Sequence, residues 1–326
     1  MRRRFLPLLA PRLLARSAAA TALFALVPIV TGDDAALYFV MLVMIWSVFA
    51  LGYDIVFGVT GMLSFGHAAF FGTGAYAASH AMMSAGLGFG PALLAAALAG
   101  AAMALVFSVV ALRMSGIYLG LTTLMLAELV YVAASVKLRA LSGGADGIPG
   151  VPRPMPGGLD GFENAVFYWV VLGVFALALA MSEVLRSSPL GQVLRAVRQN
   201  PVRVAHLGFT VNRFRMAAFA VSGAYAGVAG ALLASLMMYV GPQNLHWKVS
   251  GDVLIMTVLG GSGTLLGPVL GVAVVEALRE LLSAYTQYWY GLVGLIFILC
   301  TLYLPQGLVG LGPRLRAVAL RAGGRA

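Results

Sequence analysis

Long apolar runs separated by short polar segments occupy most of this chain of 326 residues. A helix needs roughly 17 to 25 apolar residues to cross a bilayer, and fewer where neighbouring helices bury it. The pattern therefore predicts an all-α integral membrane protein with about ten transmembrane helices, some of them short or broken. The ten predicted spans lie near residues 17–31, 35–56, 65–84, 90–112, 115–136, 164–185, 213–240, 251–265, 267–284 and 288–305.

Glycine interrupts two of these predicted regions. Residues 63–76 and 259–268 place backbone-permissive residues at membrane depth, which predicts broken helices of the kind that line a path. The spacing of Gly223 with Gly227, and of Gly267 with Gly271, is typical of close helix packing, so we expect these glycines to be packing residues. The run 260–263 lacks the Lys and Ser/Thr of a phosphate-binding loop, so nucleotide binding is not predicted.

Arginine is concentrated in three regions, which predicts the orientation of the spans. The arginines lie before the first span, between Arg186 and Arg215, and after the last span. By the positive-inside rule, both termini and a loop at 186–215 lie in the cytoplasm, and the glycine- and proline-rich loop 137–163 lies in the periplasm. Residues 1–326 then form a single transmembrane domain. Five spans on each side of the midpoint would allow an inverted repeat.

Composition excludes several other classes of protein. With 61% hydrophobic and 10% charged residues, the chain cannot form a soluble globule. The net charge of +10 is not gathered into a groove-sized patch, so no nucleic-acid partner is expected. The single cysteine excludes an internal disulfide. The histidines are scattered, so no metal site or cofactor is predicted; they are His67, His80, His206 and His246.

The segment 186–215 predicts two short helices. Ser188 precedes Pro189, and Asn200 precedes Pro201, so each pair supplies an N-cap and a first helical residue. Gly208 stands where a glycine commonly closes a helix. One face of the first helix carries an apolar stripe, formed by Leu190, Val193, Leu194 and Val197. The stripe belongs to no membrane-length span.

We expect this stripe to be exposed and to dock into a groove of a partner protein, since its anchors are spaced i, i+3, i+4 and i+7. Arg195 and Arg198 would pair with carboxylates at the rim of the groove. An amphipathic helix lying on membrane lipid is the alternative interpretation. The expected coupling residues are Leu190, Gly191, Val193, Leu194, Arg195, Val197, Arg198 and Gly208.

Ionisable residues inside spans indicate a route or a buried network, because a charge at mid-span costs about 3 kcal/mol. Glu128 has no cation three or four residues away, and the sequence leaves open whether it lies in a route or in a structural network. Glu276 has Arg279 three residues on, which favours a structural role. The candidate path residues are Ser64, His67, Tyr118, Thr122 and Glu128. Ser64 and His67 have no third orienting group, so no catalytic residue is predicted.

Five motifs in order carry a resemblance to a known family. They are LSFGHAAFFGTGAY, GIYLGLTTLMLAEL, LSGGADGIPGVP, SPLGQVLRAVRQN with LGF after it, and VLGGSGTLLGPVLG through LYLPQGLVGL. The chain resembles the LivM-type permease subunit of branched-chain amino acid ABC importers over roughly residues 35 to 312. Pro201 departs from the acidic residue that relatives often have.

The resemblance implies a multi-pass protein of the bacterial inner membrane that transports a branched-chain amino acid. It implies a LivH-type second permease subunit, two ATPase subunits that hydrolyse the ATP, and a periplasmic binding protein. The segment matching 187–219 would be the cytoplasmic region that docks into the ATPases. Relatives of this type also carry urea, short amides or aromatic acids. An ion-coupled secondary carrier is the alternative from another class, and it would need no docking loop.

Overall fold

A computed structural model describes residues 15–30, 33–153, 164–285, 288–304 and 307–310. Almost all regular structure in these residues is helical. The helices are α1 (Ala15–Ala25), α2 (Val27–Val30), α3 (Asp34–Asp54), α4 (His67–Met83), α5 (Phe89–Ala111), α6 (Ile117–Val132), α7 (Arg139–Ser142), α8 (Asn164–Ser187), α9 (Pro189–Gln199), α10 (Pro201–His206), α11 (Val211–Met237), α12 (Trp247–Gly260), α13 (Gly267–Ser283) and α14 (Trp289–Tyr303).

Five helices are long and apolar enough to cross a membrane, and they confirm the predicted all-α membrane class. Two of them include a π-helical extension, Ile55–Val59 after α3 and Ala133–Lys137 after α6. The remaining predicted spans fall on shorter helices, so the count of ten and the inverted repeat stay predictions. The five long helices are Asp34–Val59, Phe89–Ala111, Ile117–Lys137, Ala165–Ser187 and Val211–Met237.

Helix α11 lies at the centre of the core, where it packs against α3, α4 and α5. Glycine allows these backbones to approach closely. A Cβ atom on Gly223 would strike the carbonyl oxygen of Gly100, and one on Gly227 would strike that of Ala96. Gly267 and Gly271 allow the same approach between α12 and α13. The expectation that these glycines are packing residues is therefore confirmed.

A break is present in each predicted region, but in the first region only residues 63–66 are not helical, because 67–76 belong to α4. The π-helix after α3 ends at Val59, and the chain is not helical again until α4 begins at His67. Between α12 and α13 the chain turns through Gly261 and Gly263, whose φ angles are 121° and 81°. We call these segments, residues 60–66 and 261–266, the first break and the second break. Glycine makes the second turn possible because other residues rarely adopt such φ angles.

The segment 138–153 covers the C-terminal end of α11. Strand β1 (Ile148–Pro149) pairs antiparallel with β2 (Tyr239–Val240), and Ile148 is opposite Val240. The Arg153 guanidinium donates to the carbonyl of Leu236 at 2.8 Å. The glycine and proline content of the loop 137–163 favours turns and irregular structure alone, but its described part contains α7, a 3₁₀ turn and a strand that pairs with residues 239–240.

Several predicted features lie outside the described residues. These are the second half of the 137–163 loop and the terminal arginines, Arg2, Arg3, Arg4, Arg12, Arg314, Arg316, Arg321 and Arg325.

Candidate functional site

Helices α9 and α10 form the hairpin that the sequence predicts. The Ser188 hydroxyl accepts a hydrogen bond from the Gly191 amide at 3.2 Å, and α9 starts at Pro189. Asn200 ends α9 and caps α10, since its side chain accepts from the Arg203 amide at 2.9 Å. Gly208 follows with a φ of 88°. The two caps fix where each helix begins, so the hairpin is specified locally.

The apolar stripe of α9 packs against its own subunit, which corrects the expectation that it is exposed. Leu194 is wholly buried and Val197 is 2% exposed, while Leu190 and Val193 are partly buried. The stripe lies against α8, α11 and the π-helix after α3. Gly191 permits this contact, because a Cβ atom there would strike the Leu185 carbonyl oxygen. Burial of the stripe within the chain removes its apolar side chains from water, which is favourable.

The exposed apolar residues of the hairpin lie on α10 and the turn after it. Val202 is 63% exposed, Leu207 is 71% exposed and Phe209 is 43% exposed, whereas Val204 faces the subunit. The outer side of α9 presents polar and small side chains instead: Gln192, Arg195, Ala196, Arg198 and Gln199. We call Val202, Leu207 and Phe209 the outer apolar face of the hairpin.

A buried carboxylate lies directly behind the hairpin. Asp54, the last residue of α3, has no exposed surface, and its Oδ2 pairs with Nη2 of Arg186 at 2.5 Å. Its Oδ1 accepts a hydrogen bond from the Gly263 amide at 2.8 Å. Arg186 in turn donates to the Gly263 carbonyl at 3.0 Å. One carboxylate and one guanidinium therefore hold α3, α8 and the second break together.

Two arginines of α9 connect the hairpin to this network. Arg198 reaches back from α9, and its Nη1 donates to the carbonyl of Gly58 in the π-helix. Arg195 donates to the Arg186 carbonyl at 2.7 Å. Both residues were predicted to face a partner, but here each makes a contact within the chain. Arg195 and Arg198 remain partly accessible, since both residues are exposed.

Sequence reasoning missed Asp54, although the signal was present. The residue lies at the end of the apolar run 35–56 and has no cation three or four residues away. The cost of placing a charge inside a span applies to it as it does to Glu128. Its partner, Arg186, is 132 positions distant, so only the fold reveals the pair.

Two candidate path residues, Ser64 and His67, contact each other within the core. His67 Nδ1 lies 3.0 Å from the Ser64 hydroxyl, and Nε2 lies 2.8 Å from the Ser222 hydroxyl. Both side chains have no exposed surface. Tyr53 donates to the Ser64 carbonyl at 3.1 Å. Both ring nitrogens of His67 therefore have hydrogen-bond partners, as buried polar groups require. The same contacts join the first break to α11.

The three candidate path residues on α6 have different surroundings. Tyr118 is 68% exposed, and its carbonyl accepts the Thr122 hydroxyl at 2.8 Å. Oε2 of Glu128 is buried and has no hydrogen-bond partner among the described residues. Next to Thr122, Thr123 accepts a hydrogen bond from the Phe65 amide at 3.0 Å, so α6 adjoins the first break. The structure does not place Tyr118 and Thr122 in the buried cluster with His67.

A second ionic cluster lies between α12, α13 and α14. Asp252 accepts a hydrogen bond from the Tyr290 hydroxyl at 3.1 Å, beside a cavity of about 240 Å³. Glu276 is 2% exposed and pairs with Arg279 at 3.5 Å, which confirms the local neutralisation predicted for it. Among the described residues, no group of three or more His, Cys, Asp or Glu side chains could hold a metal ion.

The chain is similar to permease proteins along most of its length. It is 31% identical to the high-affinity branched-chain amino acid transport system permease protein LivM of Escherichia coli, over 82% of this chain and 68% of LivM. It is 29% identical to a probable LivM of Methanocaldococcus jannaschii, over 67% of each chain. It is 25% identical to LivH of Escherichia coli, over 81% of this chain and 91% of LivH. No solved structure matches significantly.

A family model agrees with these pairwise similarities. The model for the branched-chain amino acid transport system / permease component matches residues 35–302, which include both breaks, the hairpin and Asp54. The chain therefore belongs to the branched-chain amino acid transport system permease family.

Proposed function

We propose that this chain forms one half of the translocation channel of an ABC importer and carries a branched-chain amino acid such as leucine, isoleucine or valine across a bacterial inner membrane. Membership of the permease family supports the transport role, and the names of the similar proteins support the substrate class. The observation that carries the proposal is the outer apolar face, held at one end of a bundle of apolar helices.

The proposed topology has ten crossings with both termini in the cytoplasm. Helix α11 runs from the arginine-rich hairpin at one end of the bundle to the β1–β2 pair at the other. The positive-inside rule places the hairpin end, and with it the segment 186–215, in the cytoplasm. The segment 137–163 then lies in the periplasm, where a substrate-binding protein would dock.

The proposed occupant of the outer apolar face is an ATPase subunit. Val202, Leu207 and Phe209 project from a capped hairpin at the cytoplasmic end, and Arg203 is exposed between them. Exposed apolar side chains beside a cation are typical of docking surfaces. A LivH-type subunit would complete the channel, and a second ATPase would bind that subunit. ATP would be hydrolysed in those partners and not in this chain.

Co-purification tests the docking proposal. Leu207→Asp should release the ATPase subunits from the solubilised complex, because it places a charge within an apolar contact. Leu141→Asp is the matched control, since Leu141 is 59% exposed at the opposite end of the bundle. ATPases that stay bound to the Leu207→Asp variant would contradict the proposal.

Uptake assays test the substrate. In proteoliposomes with ATP inside and the loaded binding protein outside, we expect leucine, isoleucine or valine to be accumulated. Uptake of urea, a short amide or an aromatic acid, and not of leucine, would favour the alternative importers of the same type. Accumulation that follows an imposed ion gradient without ATP would favour an ion-coupled carrier.

The candidate path includes Glu128. One of its carboxylate oxygens is buried without a hydrogen-bond partner among the described residues, and it lies on α6, the helix that adjoins the first break. A carboxylate in such a position faces either a second subunit or the route. We propose that Glu128 faces the route, since its carboxylate can accept hydrogen bonds from the ammonium group of a zwitterionic amino acid.

A further inference from the structure

We propose that Asp54 and Arg186 are positioning residues that transmit movement of the α9–α10 hairpin to both helix breaks. This inference rests on the proposed function, because it takes the hairpin as the part that an ATPase moves. It assigns a role to an ion pair that takes no part in docking or in the candidate path.

The carboxylate of Asp54 joins three elements at one point. Asp54 belongs to α3, Arg186 to α8, and Gly263 to the second break. Each Asp54 oxygen has its own partner, at 2.5 Å for Arg186 and 2.8 Å for the Gly263 amide. The Arg186 guanidinium also donates to the Gly263 carbonyl, so the backbone of Gly263 is held at both its amide and its carbonyl. A displacement of Arg186 must therefore displace the second break or break these bonds.

The hairpin is tied to the same point by its own arginines. Arg195 holds the Arg186 carbonyl, and Arg198 holds the Gly58 carbonyl in the π-helix that leads into the first break. Arg198 thus connects the hairpin to the segment before the first break, and Arg195 connects it to Arg186, which binds Gly263 of the second break. The Arg198 side chain also lies against Gly61 of the first break and Gly263 of the second.

The surroundings of these contacts allow movement. A cleft of about 200 Å³ is lined by Arg198 and the first break, and a more open surface cleft of about 540 Å³ is lined by Arg186, Arg195 and the second break. Gly61 and Gly263 have φ angles of 77° and 81°, where glycine moves with little strain. The segment after Asp54 is π-helical, a geometry that is frequent at functional sites.

A purely structural ion pair is the competing explanation. A buried pair contributes little net stability, because the desolvation of both charges offsets their attraction, but removal of one partner leaves an unpaired buried charge. Removal of both charges should then restore the stability lost in the single variant. If the pair has only a structural role, transport should be restored together with stability.

The experiment compares Asp54→Asn with the double variant Asp54→Asn and Arg186→Met in the assembled complex. Complexes are reconstituted in proteoliposomes, and ATP hydrolysis and substrate uptake are measured per assembled complex. Asp252→Asn is the matched control, since it changes a carboxylate to an amide in the first half of α12, where Asp252 contacts Tyr290 and not the Asp54 network. Met fills the volume of the arginine stem without its fork of donors.

We expect the double variant to assemble as well as the wild type but to transport about tenfold fewer substrate molecules per ATP hydrolysed, the size of a typical coupling between sites. Asp252→Asn should keep the wild-type ratio. A double variant that recovers both stability and the wild-type ratio would overturn the inference. Failure of the proposed function gives a different result: a complex that carries Leu207→Asp still retains its ATPases.

Discussion

Substitution of Leu194 distinguishes two roles of the α9 stripe: packing within its own subunit and docking of a partner. It lies in the middle of the α9 stripe and has no exposed surface, whereas Val202 on α10 is 63% exposed. If the stripe is part of the core, Leu194→Ala must destabilise the subunit itself. Val202→Ala, by contrast, removes atoms from a side chain that mostly contacts solvent.

The magnitude follows from the burial of Leu194. The substitution removes three carbon groups, each worth about 0.8 kcal/mol when buried, or about 2.4 kcal/mol. The surrounding side chains from α8 and α11 belong to long helices and close the gap only in part, so a cavity term adds to the loss. We therefore expect Leu194→Ala to lower the free energy of unfolding by about 3 kcal/mol. The effect of Val202→Ala should stay within about 0.5 kcal/mol.

Equilibrium unfolding of the purified subunit in mixed detergent micelles measures this difference through tryptophan fluorescence. Retention of ATPases by the assembled complex is measured separately for each variant. Leu194→Ala should lose stability in the isolated subunit, where no partner is present. A variant with wild-type stability that nevertheless loses its ATPases would show that the stripe is the docking face and that our assignment is wrong.

Three further predictions concern topology, the route and helix packing. In a cysteine-free background, Leu141→Cys should react with an impermeant thiol reagent added outside sealed cells and Gln199→Cys should not; labelling of Gln199→Cys would overturn the proposed orientation. Glu128→Gln should lower the uptake rate about tenfold, equal to about 1.4 kcal/mol of barrier, in a complex that still binds its ATPases, and normal uptake would remove Glu128 from the route. Gly227→Leu should cost about 3 kcal/mol in the unfolding assay because its Cβ would strike α5, whereas Gly173→Leu, with open space around it, should cost less than about 0.5 kcal/mol. Equal losses for the two glycine variants would contradict the packing role.

Local signals predicted most of the architecture. Proline next to a capping side chain marked the starts of α9 and α10 at Pro189 and Pro201, and both caps are present. Glycine marked both breaks, and Gly223 and Gly227 marked the close approach of α5 and α11. Each of these features depends on residues close together in sequence, so a single sequence contains the information.

The contacts of the site depend on distant residues, and the sequence did not reveal them. The apolar spacing of Leu190, Val193, Leu194 and Val197 shows that one face of α9 is withdrawn from water. It does not show whether α8 and α11 or another protein covers that face. The partner of Asp54 is equally unpredictable, because several arginines were available and only the fold selects Arg186.

The buried stripe and the buried ion pair together determine how force could pass through this subunit. Because Leu194 and Val197 pack on α8, α11 and the π-helix, α9 is held against the helix bundle and is not a separate arm. An ATPase that pulls on Leu207 or Phe209 would therefore act on a segment that is joined to the bundle. The arginine contacts would then direct that displacement to the first and second breaks. Gly61 and Gly263 in these breaks have positive φ angles, and glycine can change between positive and negative φ at low cost because it has no Cβ atom.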